Sequence, residues 1–250
     1  MDDDALLLSQ IDDRLNRCIN RCMLTNTNFL DSYQQSTAKK YLSNINSVRY
    51  EFYGGFEDSE RKILVFIPEY IEDFTVTDNP LSALRIDKDG FSELSHRDYL
   101  GALMGLGIKR EMLGDIFVDE KGCVISVISG IAEYIKENLF SVGRGSVKIT
   151  LPESFDSFSR ELHFEEKQCF VSSMRADSVI SAVFGISRTS AVEKIKASVV
   201  FVNDILISKP DSRIPVGAKL VVRGKGKAVI KNELKTTKKG RIAFTAEKYI

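Results

Sequence analysis

The sequence predicts an α+β protein in three units. These are N-terminal helices with a β-hairpin, a middle β-α-β-β-α-β unit, and a small basic unit of two short helices followed by strands. Three observations predict this. Apolar residues recur at helical spacing near the start of the chain and then yield to β-rich runs around Gly54–Gly55. From Ser82 to Leu151, strand-type and helix-type segments succeed one another in β-α-β-β-α-β order. The charge is also partitioned. Residues 170–250 hold 16 Lys and Arg against 6 Asp and Glu, a net of +10, while residues 1–169 hold 19 against 29, a net of −10.

In the first unit, residues 1–78, Leu7, Ile11, Leu15, Ile19 and Cys22 recur at spacings of four and three, the period of a helix with one apolar face. The segment LTNTNFLDSYQQSTAKKYLSN breaks that helix and begins a second. Two β-rich runs in VRYEFYGGFEDSERKILVFIPEY flank Gly54–Gly55 and an acidic loop, which predicts a hairpin. The turn formers TDNP at 77–80 mark the boundary. The four cysteines, Cys18, Cys22, Cys123 and Cys169, show no disulfide-framework spacing. The two histidines lie far in sequence from the Cys18–Cys22 pair, and Ile11, Leu15, Cys18 and Cys22 form one apolar stripe, so buried free thiols and no metal are expected. No apolar run approaches the roughly 18 residues of a membrane span. The apolar stretch in the acidic MDDDALLLSQ is too short for a secretory signal, so the expected location is the cytoplasm, with no membrane partner.

The middle unit, residues 79–168, reads as strand Ser82–Asp87, helix Arg97–Gly107, strands Leu113–Asp119 and Cys123–Ser129, helix Ile131–Phe140 and strand Ser146–Leu151. That is the ferredoxin-like, RRM-like order. Sheets of this kind bind RNA through aromatics on their two central strands. The third strand here, GCVISVIS, has no aromatic residue, so no standard stacking platform is expected. Lys109 and Arg110 after the helix read equally as phosphate contacts or as a solvated helix end. The stretch 152–168, PESFDSFSRELHFEEKQ, reads as a linker or as a final strand packing on the middle unit.

The third unit, residues 169–250, holds two short helices. MRADSVISAVFG ends at Gly185, a favoured helix C-terminal residue, and Ser187 is a good N-cap for SRTSAVEKIKAS. VVFVNDILI turns at Asn203–Asp204 between two strands, and a further hairpin is expected at Lys238–Gly240. Arg175 opens the first helix, and Arg188, Lys194 and Lys196 lie on the second with Ser187 and Ser190 at its start. Arg223, Lys225 and Lys227 follow in the run VRGKGK, where Gly224 and Gly226 let a ligand approach the backbone. Guanidinium and ammonium groups neutralise phosphates, and small hydroxyls with backbone amides at a helix start add phosphate contacts. Any one of these residues reads singly as a solvated charge. Their recurrence in one small unit points to a polyanion, and these nine are the candidate RNA-binding residues.

Arg175, Asp177, Ile186, Ser187, Arg188, Ser190, Ala191, Ile195, Lys196, Val200, Val202, Asn203, Gly217 and Leu220 together resemble the small domain named after ribosomal protein S-four, the alpha-L RNA-binding fold. Ser198 and Asp204 depart from it, standing where glycines are usual, as do Val216 and Ala218 around Gly217. The chain as a whole resembles the bacterial YlmH proteins through FYGGFEDSERK at 52–62, LSHRDYLGALMGLGIKREMLGDI at 94–116, VGRGSVKI at 142–149 and KKGRIAFTAEKY at 238–249. The resemblance implies a ribosome-associated RNA-binding protein, with rRNA or tRNA and the large ribosomal subunit as partners, in rescue of stalled translation. It implies neither cofactor nor small-molecule substrate.

Two rivals define the alternatives. Pseudouridine synthases and some methyltransferases carry the S-four-type domain, but ahead of a large catalytic domain. Tyrosyl-tRNA synthetases carry it last, but no HIGH or KMSKS motif precedes it here. His96-Arg97-Asp98 echoes a kinase catalytic loop without the accompanying Gly-rich loop or D-F-G, and no G-x-S-x-G is present. The expectation is therefore a non-catalytic protein, with an RNA-modifying enzyme and a cell-division interaction protein as the alternatives.

Overall fold

The N-terminal stripe folds as α1 (Asp3–Arg21), with Asp3 and Asp4 in the first turn and Arg21 in the last, each complementing the helix dipole. Its buried residues are Leu7, Ile11, Leu15 and Cys18. Ile19 and Cys22 are exposed, which corrects the predicted stripe. A period of 3.6 residues selects position 18 over 19, and Cys22 lies beyond the helix at φ 48. Cys18, Cys123 and Cys169 are buried as free thiols. After β1 (Thr25–Asn26), the Asp31 carboxylate accepts the N–H groups of Tyr33 and Gln34, while Gln34 accepts the N–H of Asp31. This capping box starts α2 (Ser32–Leu42). The hairpin follows as β2 (Arg49–Tyr53) and β3 (Ile63–Ile67), and β1 pairs on the other edge of β3.

The structure describes residues 3–45, 47–57, 59–90, 93–155, 164–231, 235–237 and 240–249 of a computed structural model. The chain divides into two units, Met1–Ser159 and Arg160–Ile250. The change of architecture near residue 78 therefore falls inside the first unit. Past the single turn α3 (Phe74–Thr77), the first unit continues with β4 (Leu81–Lys88), α4 (His96–Gly105), β5 (Leu113–Asp119) and β6 (Gly122–Ile128). It then adds α5 (Ala132–Asn138), β7 (Ser141–Val142) and β8 (Gly145–Thr150). These strands form an antiparallel sheet in the order β5-β6-β4-β8-β7, with β4 and β6 central. This is the ferredoxin-like arrangement the element order predicts.

The helices cover one face of that sheet, with Tyr99, Leu103 and Ile135 packed against Leu84, Ile86 and Ile125. The opposite face is not open. Ala83 and Val124 pack against Phe29, Ile63, Val65 and Phe155, so the N-terminal hairpin lies over it. The other side of β3, through Leu64 and Phe66, packs on α1 and α2. The apolar run of β6 is that of a strand buried on both faces. The sheet face where ferredoxin-like domains stack RNA bases is thus filled, a stronger exclusion than the lack of aromatics.

The second unit contains β9 (Phe164–Val171), α6 (Ala176–Phe184), α7 (Arg188–Lys196), β10 (Val200–Val202) and β11 (Ile205–Leu206). It continues with β12 (Lys219–Val222), β13 (Gly226–Ile230), β14 (Lys235–Thr236) and β15 (Ile242–Tyr249). The sheet order is β11-β10-β12-β13-β15-β14, and β9 also pairs with β15, from Phe164↔Tyr249 to Val171↔Ile242. Residues 164–168 therefore correct the reading of 152–168 as a linker or a strand of the middle unit, since their partner lies at the far end of the sequence. Residues 156–163 lie outside the described residues. The core joins Val179, Ile180 and Val183 of α6 and Ala191 and Ile195 of α7 to the sheet through Leu220, Ala228 and Phe244. Bonds between Thr237 and Arg241 close the β14–β15 turn. Lys238 and Lys239 in that turn lie outside the described residues.

Candidate nucleic-acid interface

The two helices are set by their ends, as their sequence predicts. Gly185 adopts φ 64, which only glycine takes at little cost, and ends α6. Ser187 then caps α7, its hydroxyl oxygen accepting the N–H of Ser190 at 3.0 Å. That bond gives Ser187 and the Ser190 amide a structural task as well as a place on the predicted face. The first amides of α6 are also engaged. Ala176 and Asp177 donate to the carbonyls of Ser212 and Pro210 at 2.8 and 3.0 Å. A phosphate at this end would meet side chains rather than free backbone N–H groups.

Asp177 organises those side chains. Buried in the first turn of α6, its carboxylate accepts from Arg175 Nε at 3.2 Å and from Arg188 Nη2 at 2.7 Å. It also accepts the Ser178 N–H at 2.8 Å. Burial pushes its carboxyl pKa up, but the hydrogen bonds from the two guanidinium groups outweigh this, and the net shift is downward. The same contact raises Arg175. Arg175 and Arg188 stay largely exposed, so one buried carboxylate fixes two arginines that each have donors to spare. An isolated antiparallel bridge places Arg213, also exposed, against Arg175. Sequence reasoning missed both the role of Asp177 and the presence of Arg213, because nothing local in SRIPVG shows that this loop returns to the start of α6.

The remaining predicted cations lie elsewhere on the unit. Lys194 is half-buried and Lys196 exposed in the last turn of α7, roughly 9 and 12 Å of helix rise from Arg188. The Arg223 amide donates to Val199 just past α7, and its guanidinium lies 5.3 Å from the Phe201 ring centroid. Lys225 is exposed in the β12–β13 turn. Lys227 departs from the expectation. It is 9% exposed, its ammonium 5.9 Å from the ring centroid of Tyr249, and it does not face solvent as its neighbours do. Strand alternation in β13 turns it onto the sheet, a point the run VRGKGK conceals.

Two arginines of the first unit, Arg61 and Arg110, are structural. Arg110 donates to the carbonyls of Leu113 and Gly114, and Arg61 to those of Phe29 and Leu113. Asp115 accepts from the amides of Glu60 and Arg61. These bonds tie the hairpin loop to β5. Burial, assisted by the charge of Arg61, brings the Arg110 pKa down to about 10. Only Lys109 of the pair noted in the sequence is exposed.

A family model described as "Putative RNA-binding domain in YlmH" matches residues 71–154. Over 225 residues the chain is 31% identical to the "Ribosome-associated protein quality control protein P2" of Bacillus subtilis (strain 168), covering 89% of this chain and 87% of that one. Among solved structures, the "Cell division protein ylmH from Streptococcus pneumoniae" superposes with a TM-score of 0.52 and 21% identity. That match spans 61% of this chain and 92% of the other, a likeness of fold.

Proposed function

This chain belongs to the YlmH family, and from that premise we propose that it is a non-catalytic cytoplasmic protein that docks on structured RNA. The RNA is rRNA, with tRNA as a further contact, on the large ribosomal subunit during rescue of stalled translation. The name of the Bacillus subtilis relative supports the ribosomal setting. The observation that carries the reading is the arginine pair held by Asp177 in the +10 segment. Guanidinium groups with fixed direction and spare donors suit phosphate oxygens, and the acidic remainder of the chain opposes non-specific attachment. Arg175, Arg188, Lys194, Lys196, Arg223 and Lys225 supply the contacts, and recognition is by shape and phosphate placement. The family description assigns RNA binding to 71–154 as well. Because one sheet face there is filled, any RNA contact of that segment uses its helices or edges rather than a stacking platform.

The test is Arg188→Glu with Lys194→Glu in the full chain, with folding checked by circular dichroism. Affinity for large-subunit rRNA should fall, the salt dependence should flatten, and co-sedimentation with large subunits at low salt should be lost. Unchanged affinity and slope refute the docking assignment. Sedimentation of the wild type away from ribosomal particles would instead favour a cell-division role, the one the streptococcal protein is named for.

A further inference from the structure

The helix face leaves one neighbouring feature unused. Between α6 and the start of β15 lies a hollow of about 290 Å3. It is lined by Arg188, Arg241, Ser172, Ser178, Ser181 and Phe170, with Val171 and Ala182 completing the wall. Arg188 is held by its side chain and Arg241 by its backbone. Asp177 binds the guanidinium of Arg188 at 2.7 Å. The Arg241 amide donates to Thr237 Oγ1 at 3.0 Å, and the Arg241 carbonyl accepts the Thr237 N–H at 2.7 Å. The Val171↔Ile242 pairing brings Arg241 beside Ser172. Among the described residues no carboxylate lines the hollow. Ser178 Oγ donates to Asp177 at 3.4 Å and Ser181 Oγ to the Ile186 carbonyl at 2.7 Å, so an anion there would meet the two guanidinium groups and the Ser172 hydroxyl.

Size and rim narrow the ligand. The volume sits at the low end of small-ligand sites, roughly 300 Å3, which is room for one nucleotide and none for a duplex. Phe170 at the rim is 51% exposed, one of the few large aromatics of the second unit left in solvent among the described residues. An exposed aromatic beside arginines is the arrangement on which proteins stack unpaired bases. We propose that this hollow holds a single unpaired ribonucleotide of the bound RNA, its phosphate between Arg188 and Arg241 and its base against Phe170. The site rests on the RNA-docking reading above and extends it from shape recognition to capture of an extruded base. Arg241 thereby joins the interface as a contact that lies well outside the S-four-type motif in sequence.

The test uses the full chain and two labelled RNA hairpins, one fully paired and one with a single bulged nucleotide, titrated over a salt series. Arg241→Gln should lower the log–log salt slope by about 1 on the bulged RNA only. Phe170→Ala should weaken the bulged RNA by roughly fivefold to a hundredfold without changing that slope. Ser172→Trp, which fills the hollow and keeps every charge, should abolish the preference for the bulge. Each substituted side chain is exposed, and folding of each variant is checked by circular dichroism. If Arg241→Gln, Phe170→Ala and Ser172→Trp all bind the bulged RNA as the wild type does while Arg188→Gln weakens both hairpins, the pocket is refuted and RNA docking stands. If Arg188→Gln also changes nothing, the docking reading falls with it. Uridine monophosphate competing as tightly as the bulged RNA would make this a free-nucleotide site and overturn the proposal.

Discussion

A buried aspartate clasped by two arginines responds to acid in a defined direction. The folded-state pKa of Asp177 lies below its unfolded value. Its contribution to stability is therefore complete above the ordinary carboxylate pKa, near 3.9, and is lost as the pH falls through the folded value. Asp177→Asn should lower stability at pH 7 by about 1–2 kcal/mol, less than for a fully buried pair because both arginines reach solvent. It should also flatten the acid limb of urea-unfolding midpoints measured below roughly pH 5. An acid limb as steep in Asp177→Asn as in the wild type would remove Asp177 from this role. Backbone strain is carried elsewhere in the second unit. Ser198 sits at φ 57, with its own N–H bonded to Ile195 and that of Val199 bonded to Lys194, the pattern of a Schellman cap that favours glycine. Asp204 follows Asn203 in a turn where both have positive φ, 61 and 50. Ser198→Gly should raise stability by about 0.5–1 kcal/mol and Asp204→Gly by somewhat less, read as higher urea midpoints at unchanged m. These are the two positions where the sequence departs from the domain pattern at a usual glycine, and the fold is retained with the strain in place.

At the scale of elements, the hairpin lying on the sheet of the first unit is held by close approach as well as by hydrogen bonds. A Cβ on Gly114 would lie 2.1 Å from Ser126 Oγ and 2.7 Å from the Phe29 ring. Gly114→Ala should cost about 1–3 kcal/mol through overpacking, measured by urea unfolding. A neutral result would mean that β5 and the Phe29 segment separate readily. The same interface marks where sequence reading stopped. The β-α-β-β-α-β order, Gly185 and the Ser187 cap were legible because each depends on local periodicity or a single cap residue. The docking of 49–67 on β4 and β6 was not, because it depends on residues far apart in sequence. Its one local trace is the near-continuous apolar run of β6, broken only by Ser126, which the absence of aromatics overshadowed. β1 was too short to leave a pattern, and the polar face of β9 made that strand resemble a linker. In the candidate site the positions of Arg175 and Arg188 at the starts of the two helices were readable. Their joint anchoring by Asp177, the arrival of Arg213 and the burial of Lys227 needed the tertiary fold.

For the whole molecule the division of charge sets the behaviour. If each of the six cations named above neutralises one phosphate, the log–log salt slope should lie near −5, and affinity should fall about a thousandfold between 50 and 200 mM salt. Anisotropy titrations at three salt concentrations measure this, and a slope near zero would rule out a phosphate-dominated interface. Acidic residues in 1–169 act in the opposite sense, so replacing exposed carboxylates there should raise binding to unrelated RNA more than to the specific one. The pairing of β9 with β15 bears on how such a molecule is made. A chain emerges from its N-terminus, and units fold as their residues become available. Residues 164–171 appear early yet pair with 242–249, so the sheet of the second unit stays without its closing strand until that last segment has emerged. Pairing of residues 164–171 thus waits on the synthesis of every strand and helix that lies between them and 242–249, and the second unit closes its sheet late relative to the local pairings of the first.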